Sequence, residues 1–231
     1  VIKEIVHFIR TGKEAARLQK QYPRAEFVDL MTTKADTQGY ADIRRELVGD
    51  LVGQVLEIGC GTGRMFQFYG PDARVEAIEP EQDFLALAVK RAAMSSGKIH
   101  AASGDGMSLS SADGTFDAVV LGLVLCSVPS VSCVLAEAIR VLRPGGRLRA
   151  LDHVRSEKAV SGLLMDVTNP LWMRLNKQGC RWNRDPIGEI RAAGFQLDDV
   201  LAFKRFDTVM PAFPMRRVKA HKGRGEIERG P

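Results

Sequence analysis

Three glycines spaced one residue apart, Gly59, Gly61 and Gly63, follow directly on the apolar run Val55-Leu56-Glu57-Ile58. A strand that stops in such a turn before a helix start presents backbone N–H groups, and glycine reaches positive φ while leaving no Cβ in a ligand's way. Cys60 and Thr62 fill the gaps, Thr62 with a hydroxyl near the helix entry. The pattern suits a nucleotide-type ligand, though glycines after a strand also make ordinary turns. Glu79 closes the run Val75-Glu76-Ala77-Ile78 and precedes Pro80. A carboxylate there can accept hydrogen bonds from both ribose hydroxyls of a nucleoside lying over the loop, or serve as an acid at a helix N-terminus. Asp105, in Ser103-Gly104-Asp105-Gly106-Met107, can accept from the amino edge of an adenine with Met107 against the ring face; Gly-Asp-Gly is equally plain turn chemistry.

A second group of reactive side chains lies further along. His153 falls just past an apolar strand, and its ordinary pKa of ~6.5 suits a general base. Asp152 beside it can orient the ring or bind substrate; the plainer reading is a strand-end histidine satisfied by backbone. Cys126 reads as a small core residue in preference to a nucleophile. Trp172 and Arg184 can wall and polarise an acceptor site, or pack and pair. Cys60, Cys126, Cys133 and Cys180 form no CxxC pair and no Cys/His spacing of a zinc site, and no Asp/Asp/Asn trio stands at the strand ends. No metal is therefore expected, and free thiols are.

These residues need a scaffold. At 231 residues and 45% hydrophobic, the chain predicts a single domain over 1–231. Residues 1–50 read as an N-terminal helical cap, with Ile2, Ile5, Val6 and Ile9 at helical spacing. Basic Lys3, Lys13 and Arg17 beside that face also admit weak contact with a membrane surface. From 54 to 156 apolar strands alternate with helices: strand 54–59, helix about 63–69, strand 73–78, helix 81–96, strands 98–102 and 116–122, helix 130–142 and strand 146–152. That rhythm predicts an α/β fold, a doubly wound, mostly parallel sheet, with its ligand at the carboxyl ends of the strands. Residues 157–184, helical but interrupted at Asn169-Pro170, read as an insertion over the mouth of the site. A helix from Arg184-Asp185-Pro186 to Gly194 and two strands, Phe195–Phe203 and Thr208–Lys219, close 185–220 as an antiparallel pair.

The formal net charge is +5, concentrated in Arg216, Arg217, Lys219, Lys222 and Arg224. Such a cluster reads as a solvated end, so no nucleic-acid partner is expected. No run approaches the ~20 apolar residues of a membrane helix, which predicts a soluble, cytoplasmic chain. It starts at Val1 rather than Met, compatible with a removed leader or anchor.

Glu57-Ile58-Gly59-Cys60-Gly61-Thr62-Gly63, Glu79, Asp105, Phe116-Asp117 and Leu142-Arg143-Pro144-Gly145-Gly146 together resemble the motif series of class I S-adenosylmethionine-dependent methyltransferases. Gln67-Phe68-Tyr69, Leu123 to Val128, Asp152-His153-Val154, Pro170-Leu171-Trp172, Gly179-Cys180 and Arg184 are similar to the methyltransferase-like branch that contains thiol methyltransferases and bacterial relatives. The resemblance implies a Rossmann-like, seven-stranded sheet. It implies that Glu57 and the backbone of Gly59, Cys60, Gly61 and Gly63 hold the methionine part of S-adenosyl-L-methionine. Glu79 with Pro80 would hold the ribose, and Asp105, Gly106 and Met107 the adenine. Leu121 and Gly122 would line the space beside the sulfonium. The implied reaction is in-line methyl transfer to a small-molecule thiol, amine or hydroxyl, leaving S-adenosyl-L-homocysteine; positioning is its main demand. A phospholipid N-methyltransferase, or a cofactor-binding protein without transferase activity, is the alternative.

Overall fold

β1 (Gly53–Ile58) buries Val55, Leu56, Glu57 and Ile58 in succession, the pattern of a parallel strand covered on both faces. It is the third strand across a seven-stranded sheet with β2 (Ala73–Ile78), β3 (Lys98–Ala102), β4 (Phe116–Gly122), β5 (Leu142–His153), β6 (Phe195–Lys204) and β7 (Pro214–Lys222). The order is β3-β2-β1-β4-β5-β7-β6. The first five strands are parallel, while β7 runs antiparallel between β5 and β6. The chain crosses from one side of β1 to the other between β3 and β4. The carboxyl ends of β1 and β4 are thus the switch point, where a parallel sheet opens a crevice. The structure, a computed structural model, describes residues 17–95, 97–175, 179–204 and 214–224. The expected face of Ile2, Ile5, Val6 and Ile9, its membrane reading, and the start of the last expected strand lie outside them.

Helices α1 (Arg24–Ala35), α2 (Ala41–Val48), α3 (Gln82–Met94), α4 (Val131–Val141), α5 (Ala159–Leu175) and α6 (Pro186–Ala192) surround the sheet. α4 is capped by Ser130, whose hydroxyl accepts from Cys133 N–H, and buries Val131, Val134, Leu135, Ala138 and Val141 along one stripe. α6 begins as its sequence reads, with Asp185 as cap and Pro186 in the first turn. Alternate residues of β1 serve two cores: Leu56 and Ile58 pack with α4 and Ile190 of α6, and Val55 packs with Leu47 and Val48 of α2.

Three expectations are corrected. No α-helix spans 63–69; turns lead into a single 3-10 turn at Phe66–Phe68, and Tyr69 is already extended. Gly63 at φ 77° starts the segment left-handed, and Phe66 and Phe68 turn inward within one turn. The strand expected at 146 begins at Leu142, absorbing the Pro-Gly-Gly stretch through a register shift opposite Phe116 and Ala118. α5 passes through Asn169-Pro170 without interruption, with Pro170 inside the helix.

Candidate active site

Glycine geometry separates packing from binding at the β1 tip. Gly59, Gly61 and Gly63 have φ of 65°, 57° and 77°. A Cβ on Gly59 would meet Val124 Cγ2 at 2.7 Å, and one on Gly63 the Phe66 ring at 2.6 Å. A Cβ on Gly61 would meet nothing within 4 Å, so this backbone faces open space. Glu79 reaches across from β2: Oε2 accepts from Gly61 N–H at 2.9 Å and Oε1 from Glu81 N–H at 3.1 Å. Burial raises its pKa. Each carboxylate oxygen keeps a lone pair for one further donor, which fits a ribose diol. Pro80, next to it, is exposed.

Glu57 lies on the α2 side of β1, 3% exposed, with Tyr69 Oη donating to its Oε2 at 2.8 Å. Burial pushes its pKa up to about 7, against the pull of Tyr69 and Arg44. Burial likewise raises the Cys60 thiol, next to Glu57 and Glu79. Asp105 is exposed and closes its own turn, Oδ1 accepting from Met107 N–H at 2.9 Å. A Cβ on Gly106 would sit 2.4 Å from Ile58 Cγ2, so this turn lies directly on the β1 tip. Met107 is half-buried against the apolar core, and Leu121 is fully buried within it. The Leu121 side chain therefore supports the site from below rather than lining it; a Cβ on Gly122 would come within 2.9 Å of Met65 Cε. Leu123 follows at φ 63°, the sole non-glycine residue at positive φ among the described residues, where strain collects at functional loops.

Sequence reading missed what fastens these loops. Asp29 of α1 accepts from Thr62 Oγ1 at 2.6 Å, Arg64 Nε at 2.8 Å and, through Oδ2, Arg91 Nη2 at 3.2 Å. Burial alone would raise its pKa; the donors Arg64, Thr62 and Arg91 outweigh it and hold it low. Arg24 joins the same cap to Glu81. On the other flank, Glu137 of α4 accepts from Leu109 N–H at 2.7 Å, while Arg140 donates to Leu109 O, Ser111 O and Asp113 Oδ1. The loop after β3 is thereby latched to α4. These partners stand far apart in sequence, and no local pattern marks them.

The acceptor-side residues gather at the ends of β4 and β5. Asp152 does not orient His153: its Oδ1 accepts from Cys126 N–H at 3.0 Å, and it is buried beneath that loop, where burial and the Cys126 thiol raise its pKa. Its expected contact with substrate gives way to holding the loop. His153 Nδ1 lies 3.4 Å from Cys180 Sγ. Cys126 is buried against both, and its thiol pKa is raised, by Cys180 first and then by burial. Trp172 stacks on Trp182 with centroids 4.6 Å apart and donates from Nε1 to Cys180 O at 2.9 Å. Arg184 Nη1 donates to Leu125 O at 2.5 Å, and burial lowers its pKa. Residues 179–184 thus fold back over the β4 loop. Beside them a cleft of about 460 Å³ is lined by Arg155, Glu157, Arg184, Asp185, Arg191 and Arg216.

A sheet of this order, with a carboxylate facing a glycine loop at its switch point, is an α/β architecture suited to hold a nucleoside there. Residues 56–150 match the model of the methyltransferase domain family. The chain is 37% identical over 146 residues to the human thiol S-methyltransferase TMT1A, covering 61% of this chain and 59% of that one. It is 40% identical over 147 residues to human thiol S-methyltransferase TMT1B, again across 61% and 59%. The alignments thus span about three fifths of these relatives' length. A ubiquinone/menaquinone biosynthesis C-methyltransferase from Methylobacterium nodulans is 35% identical over 104 residues, 43% of this chain and 41% of that one. Among solved structures, a SAM-dependent methyltransferase from Methanosarcina mazei superposes with a TM-score of 0.63 at 18% identity, across 78% of this chain and 97% of its own. The [4+2]-cyclase SpnF superposes equally, 0.63 at 19% identity across 80% of each chain, so the likeness carries the fold alone. The resemblance read from the motifs is borne out over the matched domain, and the cradle of Gly61 and Glu79 fits that family's cofactor, S-adenosylmethionine. Among the described residues no helix is long and apolar enough to cross a membrane.

Proposed function

We propose that this chain transfers the methyl group of S-adenosylmethionine to a small-molecule thiol. The observation that carries the transferase reading is the open backbone of Gly61 facing the Glu79 carboxylate at the switch point. The thiol acceptor is supported by 37% and 40% identity to relatives named as thiol S-methyltransferases. When bound, the cofactor supplies a methyl group on a positively charged sulfur. Glu79 takes the ribose hydroxyls, Glu57 and the backbone of Gly59 to Gly63 the methionine end, and Asp105 with the Gly106 and Met107 backbone the adenine. Trp172, Arg184 and the 179–184 segment exclude water from the acceptor side. His153 stands at the end of β5, where a base belongs; a thiol with an ordinary pKa of ~8.5 is partly ionised near neutrality and needs orientation more than a strong base.

One observation favours a lipid acceptor as the second reading. Val160, Leu163, Leu164, Val167 and Leu171 share one face of α5 and are 59–73% exposed beside the acceptor end. Labelled cofactor incubated with thiols, amines, phenols and phospholipid vesicles decides between them. Label in thiols alone supports the proposal; label only in phospholipid overturns the thiol and keeps methyl transfer. Calorimetry with S-adenosylhomocysteine tests the cofactor itself: no binding to the wild type, or equal binding by Glu79→Ala, removes the reading.

A further inference from the structure

Three side chains that favour soft cations meet at the acceptor end of the sheet although nothing in their spacing announces it. Cys126 comes from the loop after β4, His153 is the last residue of β5, and Cys180 comes from the segment after α5. One ligating atom from each lies within 4.8 Å of the others. Both cysteines are buried. Donor atoms around a tetrahedral zinc stand roughly 3.3–3.8 Å apart, given metal–ligand lengths of about 2.0–2.3 Å, so a small contraction of this trio suffices. The supports are already in place. Cys126 N–H is held by Asp152 at 3.0 Å, Arg181 N–H donates to Cys126 O at 2.8 Å, and Trp172 donates to Cys180 O at 2.9 Å. Beneath the trio, Asp152 is buried and holds the Cys126 loop through its Oδ1. Two residues before Cys126, Val124 packs against Gly59, so the trio adjoins the cofactor loop.

We propose that Cys126, His153 and Cys180 bind one Zn²⁺ through two sulfurs and one imidazole nitrogen, leaving the fourth tetrahedral position open. Three protein donors and one open position are the pattern of a zinc ion that takes up a substrate. Resting on the thiol reading above, the open position receives the acceptor sulfur, which releases its proton to solvent on binding. His153 is then a ligand and not the base.

The test is metal content. The full chain, reduced and reconstituted with zinc, is dialysed and its metal measured; replacement by Co²⁺ is followed in the absorption spectrum. The expected result is about one zinc per chain and a sulfur-to-cobalt charge-transfer band, with affinity lowered roughly tenfold or more by Cys126→Ser or Cys180→Ser and kept by Cys133→Ser at the exposed cysteine. The wild-type cobalt spectrum decides the matter even if a buried substitution unfolds the chain. Reduced wild type that binds no zinc, a cobalt spectrum without the sulfur band, or a Cys126–Cys180 disulfide in thiol-trapped chain each overturns the proposal. S-adenosylhomocysteine calorimetry on the same sample separates the two readings. Cofactor bound without zinc sinks the metal site alone, and zinc bound without cofactor sinks the methyl transfer alone.

Discussion

Glu57 is the residue at which folding and binding compete. Its carboxyl is buried beside Tyr69, and its pKa rises from near 4.5 to about 7. Between those values the folded chain holds a proton that the unfolded chain has released. The stability contributed is therefore complete below about pH 4.5 and is lost as pH rises through about 7. Glu57→Gln keeps an acceptor for the Tyr69 hydroxyl and removes the titration. Denaturant melts at about pH 5 and about pH 8 should show the wild type losing on the order of 3 kcal/mol more than the variant across that interval. Equal losses would mean that Glu57 is ionised throughout. Binding should run the opposite way. A methionine ammonium needs the carboxylate, so affinity for S-adenosylhomocysteine should fall as pH drops below about 7 in the wild type and be weak and flat in Glu57→Gln. The sequence showed Glu57 as a polar residue ending an apolar strand. It did not show Tyr69, because the partner's placement depends on the short 3-10 turn that replaces the expected helix.

At the scale of elements, the cradle depends on two latches. Asp29→Ala removes the acceptor shared by Thr62, Arg64 and Arg91 and leaves two guanidinium groups facing each other across a half-buried site. Charged hydrogen bonds of this kind support a loss of about 2 kcal/mol, and the freed glycine loop should bind S-adenosylhomocysteine about tenfold more weakly. Hydrogen exchange should place the loosened amides in α1 and residues 60–64; protection unchanged there would show the cap docking by its apolar face alone. Arg140→Ala should act differently, since its partners are loop carbonyls, the exposed Asp113 and Glu137 one turn away on its own helix. Exchange should quicken over 105–113 and affinity fall several-fold, while the urea midpoint scarcely moves. The strands and α4 were legible because their burial follows periods of two and 3.6 residues. The latches were not, because Asp29 and Arg91, or Arg140 and Ser111, meet only once the sheet is assembled. The acceptor end was hidden for the same reason: Cys126, His153 and Cys180 arrive from three segments, and no spacing rule joins them.

For the whole molecule, the useful contrast is between the cofactor cradle and the far edge of the sheet. Arg217 of β7 joins Glu46 of α2 to Asp199 of β6, the latter at 2.6 Å, and tests stability without touching the cradle. S-adenosylhomocysteine binds only the folded chain, so at 100 times its Kd it should add about 2.7 kcal/mol. For a chain of 231 residues each kcal/mol is worth roughly 2–4 °C, so the melting temperature should rise by roughly 5–10 °C. Arg217→Ala should start lower by a few degrees, because its acidic partners are half exposed and screened, and should still show the full ligand shift. Glu79→Ala should start near the wild type and show no shift at the same concentration. Because Glu79 holds the Gly61 and Glu81 amides as well as any ribose, those amides must turn to water in the variant. A small loss of baseline stability is compatible with the assignment. An undiminished ligand shift in Glu79→Ala is not, and would move the nucleoside away from the switch point of β1 and β4.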